Sequence, residues 1–311
     1  MSRLLNALRS RWVRAGFVVV ALAAAVYAIV RDRHQIFPAL ASLPLANVLL
    51  ALAVNVVYLL FTMASWRAVL ADLGSLLGVS ESFEVFFVSQ LGKYVPGGVW
   101  NVVAASELGK DRAIPRRRSL GAMAVALLVS ITAGLVVAVP MILLRGGATP
   151  GGTWLWLILP VAIALLTPPV LNRVLAVAMR LLRRDPLEHA LTVRGTSIAA
   201  GWALLGWVAV GLQTWVLGLG LGLPASASSF VVVAGAYSVA WVVGFVVVIA
   251  PAGLGVREVA LGALLTGWLP AGSVVVLVLV ARVLQTVADF LMAGLAYALS
   301  RRTLGRAHDG G

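Results

Sequence analysis

Pro251-Ala-Gly-Leu-Gly-Val-Arg-Glu258 interrupts a long apolar run. Phe230 to Ile249 precedes it and Val259 to Leu269 follows, both almost wholly apolar. A charged side chain at membrane depth costs a few kcal/mol, so an adjacent Arg257 and Glu258 are tolerated there only facing protein, water or a ligand. Pro251 lacks an N–H and breaks the helix before it. Gly253 and Gly255 allow close approach of backbone or ligand. The stretch therefore reads as the tip of an interrupted helix hairpin, with the function at the break.

Gln90-Leu-Gly-Lys-Tyr-Val-Pro-Gly-Gly-Val-Trp100 has the same design, with Pro96, Gly97 and Gly98 beside Lys93 and Tyr94. Its flanks, Phe83 to Tyr94 and Val99 to Leu108, are each too short for a full span, which needs about twenty residues. That predicts a re-entrant hairpin. Pro96 and Pro251 stand about half a chain length apart. Paired Gly/Pro-interrupted segments at corresponding positions of two halves point to a transporter-type site between repeats.

The composition agrees. Of 311 residues, 61% are hydrophobic and 11% charged, where soluble domains carry about 25% charge. This is the composition of an integral membrane protein. The net charge of +13 fits basic loops retained on one membrane face better than nucleic-acid binding. The chain has no cysteine, which excludes disulfides, thiol catalysis and cysteine-ligated metal. His34, His189 and His308 are scattered and offer no metal-ligand spacing. No cofactor is expected, and no Gly-Lys-Ser/Thr nucleotide loop is present.

The expected fold is all-α and polytopic, with about six full spans: Ala15–Val30, Leu45–Ala64, Leu120–Leu144, Trp154–Met179, Ser197–Leu221 and Val274–Leu299, plus the two hairpins. The basic residues divide unevenly. With the N-terminus inside, the inner face carries Arg3 to Arg14, Arg67, Lys110 to Arg118, Arg180 to Arg194 and the tail arginines; the outer face carries only Arg31, Arg33 and Arg145. Both termini are thus expected in the cytoplasm. The richness in Ala, Val, Gly and Leu suggests a GC-rich bacterial genome and hence a bacterial cytoplasmic membrane. Residues 1–152 and 153–311 each read as span, span, hairpin, span within one membrane domain. Three crossings per half invert the second relative to the first and bring both tips to the midplane.

A helix restarting after each break presents free N–H groups and a positive dipole end, which attract phosphate or carboxylate. Lys93 and Arg257 add full charges, and Arg257 suits bidentate phosphate binding. Glu258 either balances Arg257 or titrates as a proton-coupled carboxylate. Arg282, Gln285 and Asp289 share one face of the last span and are expected to line the same cavity. The alternative is structural: Arg257 with Glu258, and Arg282 with Asp289, as pairs that make each other tolerable. Glu107 reads as nearer the surface, and Tyr94 and Trp100 as core or interfacial aromatics as readily as ligand contacts.

Gly92-Lys-Tyr-Val-Pro-Gly-Gly-Val-Trp100 and Pro251-Ala-Gly-Leu-Gly-Val-Arg-Glu258 together resemble the two signature segments of the lysylphosphatidylglycerol synthase transmembrane family, also described as flippase-like domains. The resemblance extends over nearly the whole chain. In the best-known members the membrane domain moves an aminoacylated lipid between leaflets and is fused to a cytoplasmic aminoacyltransferase domain. Only a short tail follows the last expected span here, so a stand-alone member without synthase activity is expected. The resemblance implies a lipid or lipid-linked sugar as substrate, without naming which.

Three functions follow. The leading one is a flippase-like transporter, not an enzyme, moving an anionic phospholipid or lipid-linked saccharide with its phosphate at Lys93, Tyr94, Gly97, Gly98, Gly253, Gly255, Arg257, Glu258, Arg282, Gln285 and Asp289. The second is an intramembrane lipid-modifying enzyme with Glu258 as base. The third is a scaffold recruiting a cytoplasmic lipid or glycan enzyme through Lys110–Arg118.

Overall fold

The structure is a computed structural model and describes residues 30–95, 100–146, 158–181, 187–246 and 255–308. Among them the chain is helical, with no strand beyond one isolated bridge between Thr266 and Leu269. In chain order the helices are α1 (Arg33–Ser42), α2 (Leu45–Asp72), α3 (Val79–Gln90) with a tight turn over Leu91–Tyr94, α4 (Trp100–Lys110), α5 (Arg116–Gly146), α6 (Ile158–Leu165), α7 (Pro168–Leu181), α8 (Val193–Gly220), α9 (Ala227–Val246), α10 (Val256–Leu265) and α11 (Ala271–His308). Five are long and apolar enough to cross a membrane: α2, α5, α8, α9 and α11. The chain is an all-α polytopic membrane protein.

Four of the expected spans correspond to α2, α5, α8 and α11. The expected span Ala15–Val30 lies almost entirely outside the described residues. Two expectations change. Trp154–Met179 is not one helix over its described part, because the chain turns at Leu166-Thr167 between α6 and α7. Pro168 and Pro169 explain this: proline starts a helix readily but cannot continue one. The first arm of the second hairpin, α9, has 20 residues, enough to span. By contrast α3, α4 and α10 have 12, 11 and 10 residues, roughly half a bilayer each at 1.5 Å per residue.

The frame of the bundle is the antiparallel pair α2 and α8. The Asn47 side-chain amide donates to the Val216 carbonyl at 2.8 Å, and Ser65 Oγ to the Ala199 carbonyl at 2.8 Å. Interhelical bonds of this kind, with small residues in the seams, hold helices together where no hydrophobic effect acts between them. A Cβ on Gly211 would stand 2.6 Å from the Ala234 Cβ, so α8 and α9 touch nearly backbone to backbone; one on Gly235 would stand 2.4 Å from the Met141 Cβ, which does the same for α9 and α5.

At one end of the bundle the connections tie together. Asp72, closing α2, accepts from Thr192 N and Thr192 Oγ1, both at 2.7 Å, while Thr192 caps α8 by accepting from Gly195 N. Gly74, at φ +86°, ends α2 in the left-handed conformation, and Arg118 donates to its carbonyl. Arg117 and Arg118 both pair with Glu188. Arg112 pairs with Glu84 at 2.6 Å, joining the middle of α3 to the turn just after α4. Lys110 and Arg116 both reach Glu107, and these cations hold its carboxyl below the usual carboxylate range. Of the basic residues assigned from sequence to one face, Lys110, Arg112 and Arg116 to Arg118 are thus gathered at one end by their own contacts.

Candidate functional site

Three long helices contribute from their midpoints. Tyr58 stands halfway along α2, Trp207 halfway along α8 and Gln285 near the middle of α11. Short elements bring the cations to them: the turn after α3 supplies Lys93 and Tyr94, and the first turn of α10 supplies Arg257 and Glu258.

The first hairpin meets α11 at Asp289. Lys93 Nζ lies 2.6 Å from Asp289 Oδ2, and the Tyr94 hydroxyl donates to the same oxygen at 2.6 Å. The Tyr94 ring stacks on Phe290, with centroids 5.4 Å apart. The Asp289 side chain is 3% exposed and that of Lys93 31%, so the pair lies at the edge of the core with the lysine on the outer side. Gly92 permits the tight turn: a Cβ there would come within 2.4 Å of the Asn101 nitrogen.

The second hairpin meets α11 one turn earlier. Arg257 donates to Gln285 Oε1 at 2.8 Å and to the Tyr237 hydroxyl. Its guanidinium lies over the Tyr237 ring, 4.5 Å from the centroid. Gln285 also donates to the Tyr237 hydroxyl. Gln285 and Asp289 are one helical turn apart on one face of α11, so the two cations attach to neighbouring rungs of one helix. Tyr58 approaches within electrostatic range of Tyr237, Arg257 and Asp289.

Glu258 does not pair with Arg257, as one sequence reading had it. Its Oε2 accepts from Gly255 N at 2.7 Å, capping α10, and Oε1 faces Arg282 Nε at 3.6 Å. Asp289 likewise pairs with Lys93 and not with Arg282. The two carboxylates are each drawn to a different element, which is how they come to stitch the hairpins to α11. Gly255 adopts φ +83° and ψ −51°, a conformation costing a side-chain-bearing residue about 1–3 kcal/mol. Gly255→Ala should therefore lower stability by about 2 kcal/mol, read as a fall in Tm of the detergent-solubilised protein; an unchanged Tm would remove glycine's conformational role there.

Of the residues assigned from sequence, Lys93, Tyr94, Gly255, Arg257, Glu258, Arg282, Gln285 and Asp289 fall in this cluster. Gly97, Gly98 and Gly253 lie outside the described residues, as do Pro96 and Pro251. Trp100 is 47% exposed, and Glu107 is at the basic end, away from the cluster. Tyr58 and Tyr237 were missed. The signal for Tyr237 is a phenol within an apolar, Gly/Ala/Ser-containing span, where a buried hydroxyl requires a partner.

A comparison with protein families matches residues 13–293 to one described as Lysylphosphatidylglycerol synthase TM region. The chain belongs to that family. No match was found among curated proteins. In this member of the lysylphosphatidylglycerol synthase transmembrane family, described residues of both signature segments contribute to the polar cluster. Its described charges are Lys93, Arg257 and Arg282 against Glu258 and Asp289, one more cation than carboxylate. A slit of only about 10 Å³, room for roughly one water, lies between Tyr237, Arg257, Glu258, Leu261, Ala281 and Arg282.

Proposed function

We propose that this protein carries an anionic lipid, a phospholipid or lipid-linked saccharide, between the leaflets of a bacterial cytoplasmic membrane, with the headgroup phosphate bound at Arg257 and assisted by Lys93. One observation carries the reading. Among the described residues Arg257 meets no carboxylate: the Tyr237 hydroxyl and Gln285 Oε1 orient its guanidinium without neutralising it. It sits in the first turn of α10, where free backbone N–H groups and the helix dipole add to its charge. A phosphate supplies the missing countercharge and accepts two parallel bonds.

The slit is narrow, so a headgroup enters as the hairpin arms part. The two hairpins are read as re-entrant ends of two inverted repeats, 1–152 and 153–311, rocking about α11. The basic end, with both termini, is assigned to the cytoplasm. Transport, not catalysis, suits Glu258, whose carboxylate is engaged by Gly255 N and Arg282. Recruitment of a cytoplasmic enzyme through Lys110–Arg118 is disfavoured because most of its basic side chains already pair with Glu84, Glu107 and Glu188.

The test is reconstitution of the purified protein in vesicles with a headgroup-labelled anionic phospholipid. Label in the inner leaflet should become accessible to a membrane-impermeant quencher far faster than in protein-free vesicles. Equal rates with and without protein would defeat the proposal.

A further inference from the structure

The aromatic face of α9 continues outward from the anion site. Tyr237, Trp241, Gly244 and Phe245 fall at i, i+4, i+7 and i+8, one face of the helix. Arg257 lies along that face. A Cβ on Gly244 would stand 2.9 Å from the Arg257 Cβ, so the stem starts at Gly244; the guanidinium ends over Tyr237. Trp241 is between these two points. Its ring is parallel to that of Phe245 within 7°, with centroids 5.7 Å apart, and packs edge-on against Trp207 at 5.4 Å. Exposure rises along the row: Tyr237 is 1% exposed, Trp241 half-buried and Phe245 44% exposed.

We propose that Trp241 and Phe245 bind the hydrocarbon chain, acyl or prenyl, of the lipid whose phosphate occupies Arg257. The inference rests on the proposed headgroup site and adds to it the path of the chain. A phosphate held at Arg257 leaves its chain to run through apolar surroundings to the bilayer, and this row is continuous from the guanidinium to the outside of the bundle. The ordinary explanation of membrane tryptophans is an interfacial belt. It does not apply to Trp241, which packs against the midpoint of α8 and not near its ends.

The experiment compares two probes by isothermal titration on the full chain in detergent: dioleoyl phosphatidate and the water-soluble dihexanoyl phosphatidate. Trp241→Ala should weaken the long-chain probe about tenfold, through loss of apolar contact, and leave the short-chain probe unchanged. Equal weakening of both probes, or of neither, overturns the chain path. Arg257→Gln should weaken both; if it weakens neither, the headgroup site fails, independently of the Trp241 result. If Trp241→Ala does not fold, Trp241→Phe gives the readout by fluorescence. Phosphatidate brominated on its chain should quench the wild type more than this variant, relative to brominated phosphatidylcholine. The same degree of quenching in both overturns the proposal.

Discussion

Arg257→Gln should reduce translocation of an anionic phospholipid in reconstituted vesicles about a hundredfold, with Tm changed by no more than a few degrees. The magnitude follows from the geometry. A bidentate guanidinium–phosphate contact is two charge-assisted hydrogen bonds, each contributing about 1.5–3 kcal/mol. Losing them removes roughly 3 kcal/mol or more from the bound state, and each 1.4 kcal/mol is a factor of ten. Stability should change little because glutamine retains a donor for the Tyr237 hydroxyl and Gln285 Oε1, the partners of Arg257 in the free protein. Arg257→Lys should fall between, keeping the charge but not the planar fork. Zwitterionic lipid serves as the control. Wild-type rates for Arg257→Gln would take this residue out of the binding site.

The sequence was most legible where physics allows few solutions. Apolar runs bounded by basic loops locate α2, α5, α8 and α11, because a helix in hydrocarbon must satisfy its backbone internally. The shortness of α3 and α4 was legible for the same reason. The cluster was legible as a set of residues, since each charge or amide within an apolar run demands a partner. Which partner was not. Asp289 is seven residues from Arg282 on one face, yet pairs with Lys93, almost two hundred positions away in sequence. Glu258 adjoins Arg257 but turns back to Gly255 N. Side-chain direction along a helix, and the meeting of two hairpins on α11, settle these choices, and neither is local in sequence. Tyr237 was hidden because a tyrosine in a span reads as an ordinary amphipathic residue until its hydroxyl is found beside Arg257. The break between α6 and α7 was signalled by Pro168-Pro169, but apolar content alone suggested a continuous span.

Asp289→Asn tests whether the first hairpin depends on α11, and its expected effect on stability exceeds that of Gly255→Ala. The substitution leaves the Lys93 ammonium without its countercharge and gives Tyr94 a weaker acceptor. Breaking a fully buried ion pair from one side costs about 3–5 kcal/mol. Lys93 is about a third exposed and is partly rehydrated, so a loss of about 2–3 kcal/mol is expected, seen as a Tm several degrees lower. Lys93→Met should destabilise as well, by stranding Asp289, the more buried partner. The double variant Lys93→Met/Asp289→Leu removes both charges and should recover most of the loss, since apolar groups of similar size replace a buried pair at little cost. Its transport should nevertheless be low, because the assisting cation is gone. A coupling energy of about 2 kcal/mol across this cycle, with stability restored and transport not, separates the structural role of the pair from Lys93's role at the phosphate. Additive single effects would mean that Lys93 and Asp289 do not hold each other, and that the first hairpin is anchored to α11 by packing, of α3 and of Tyr94 on Phe290.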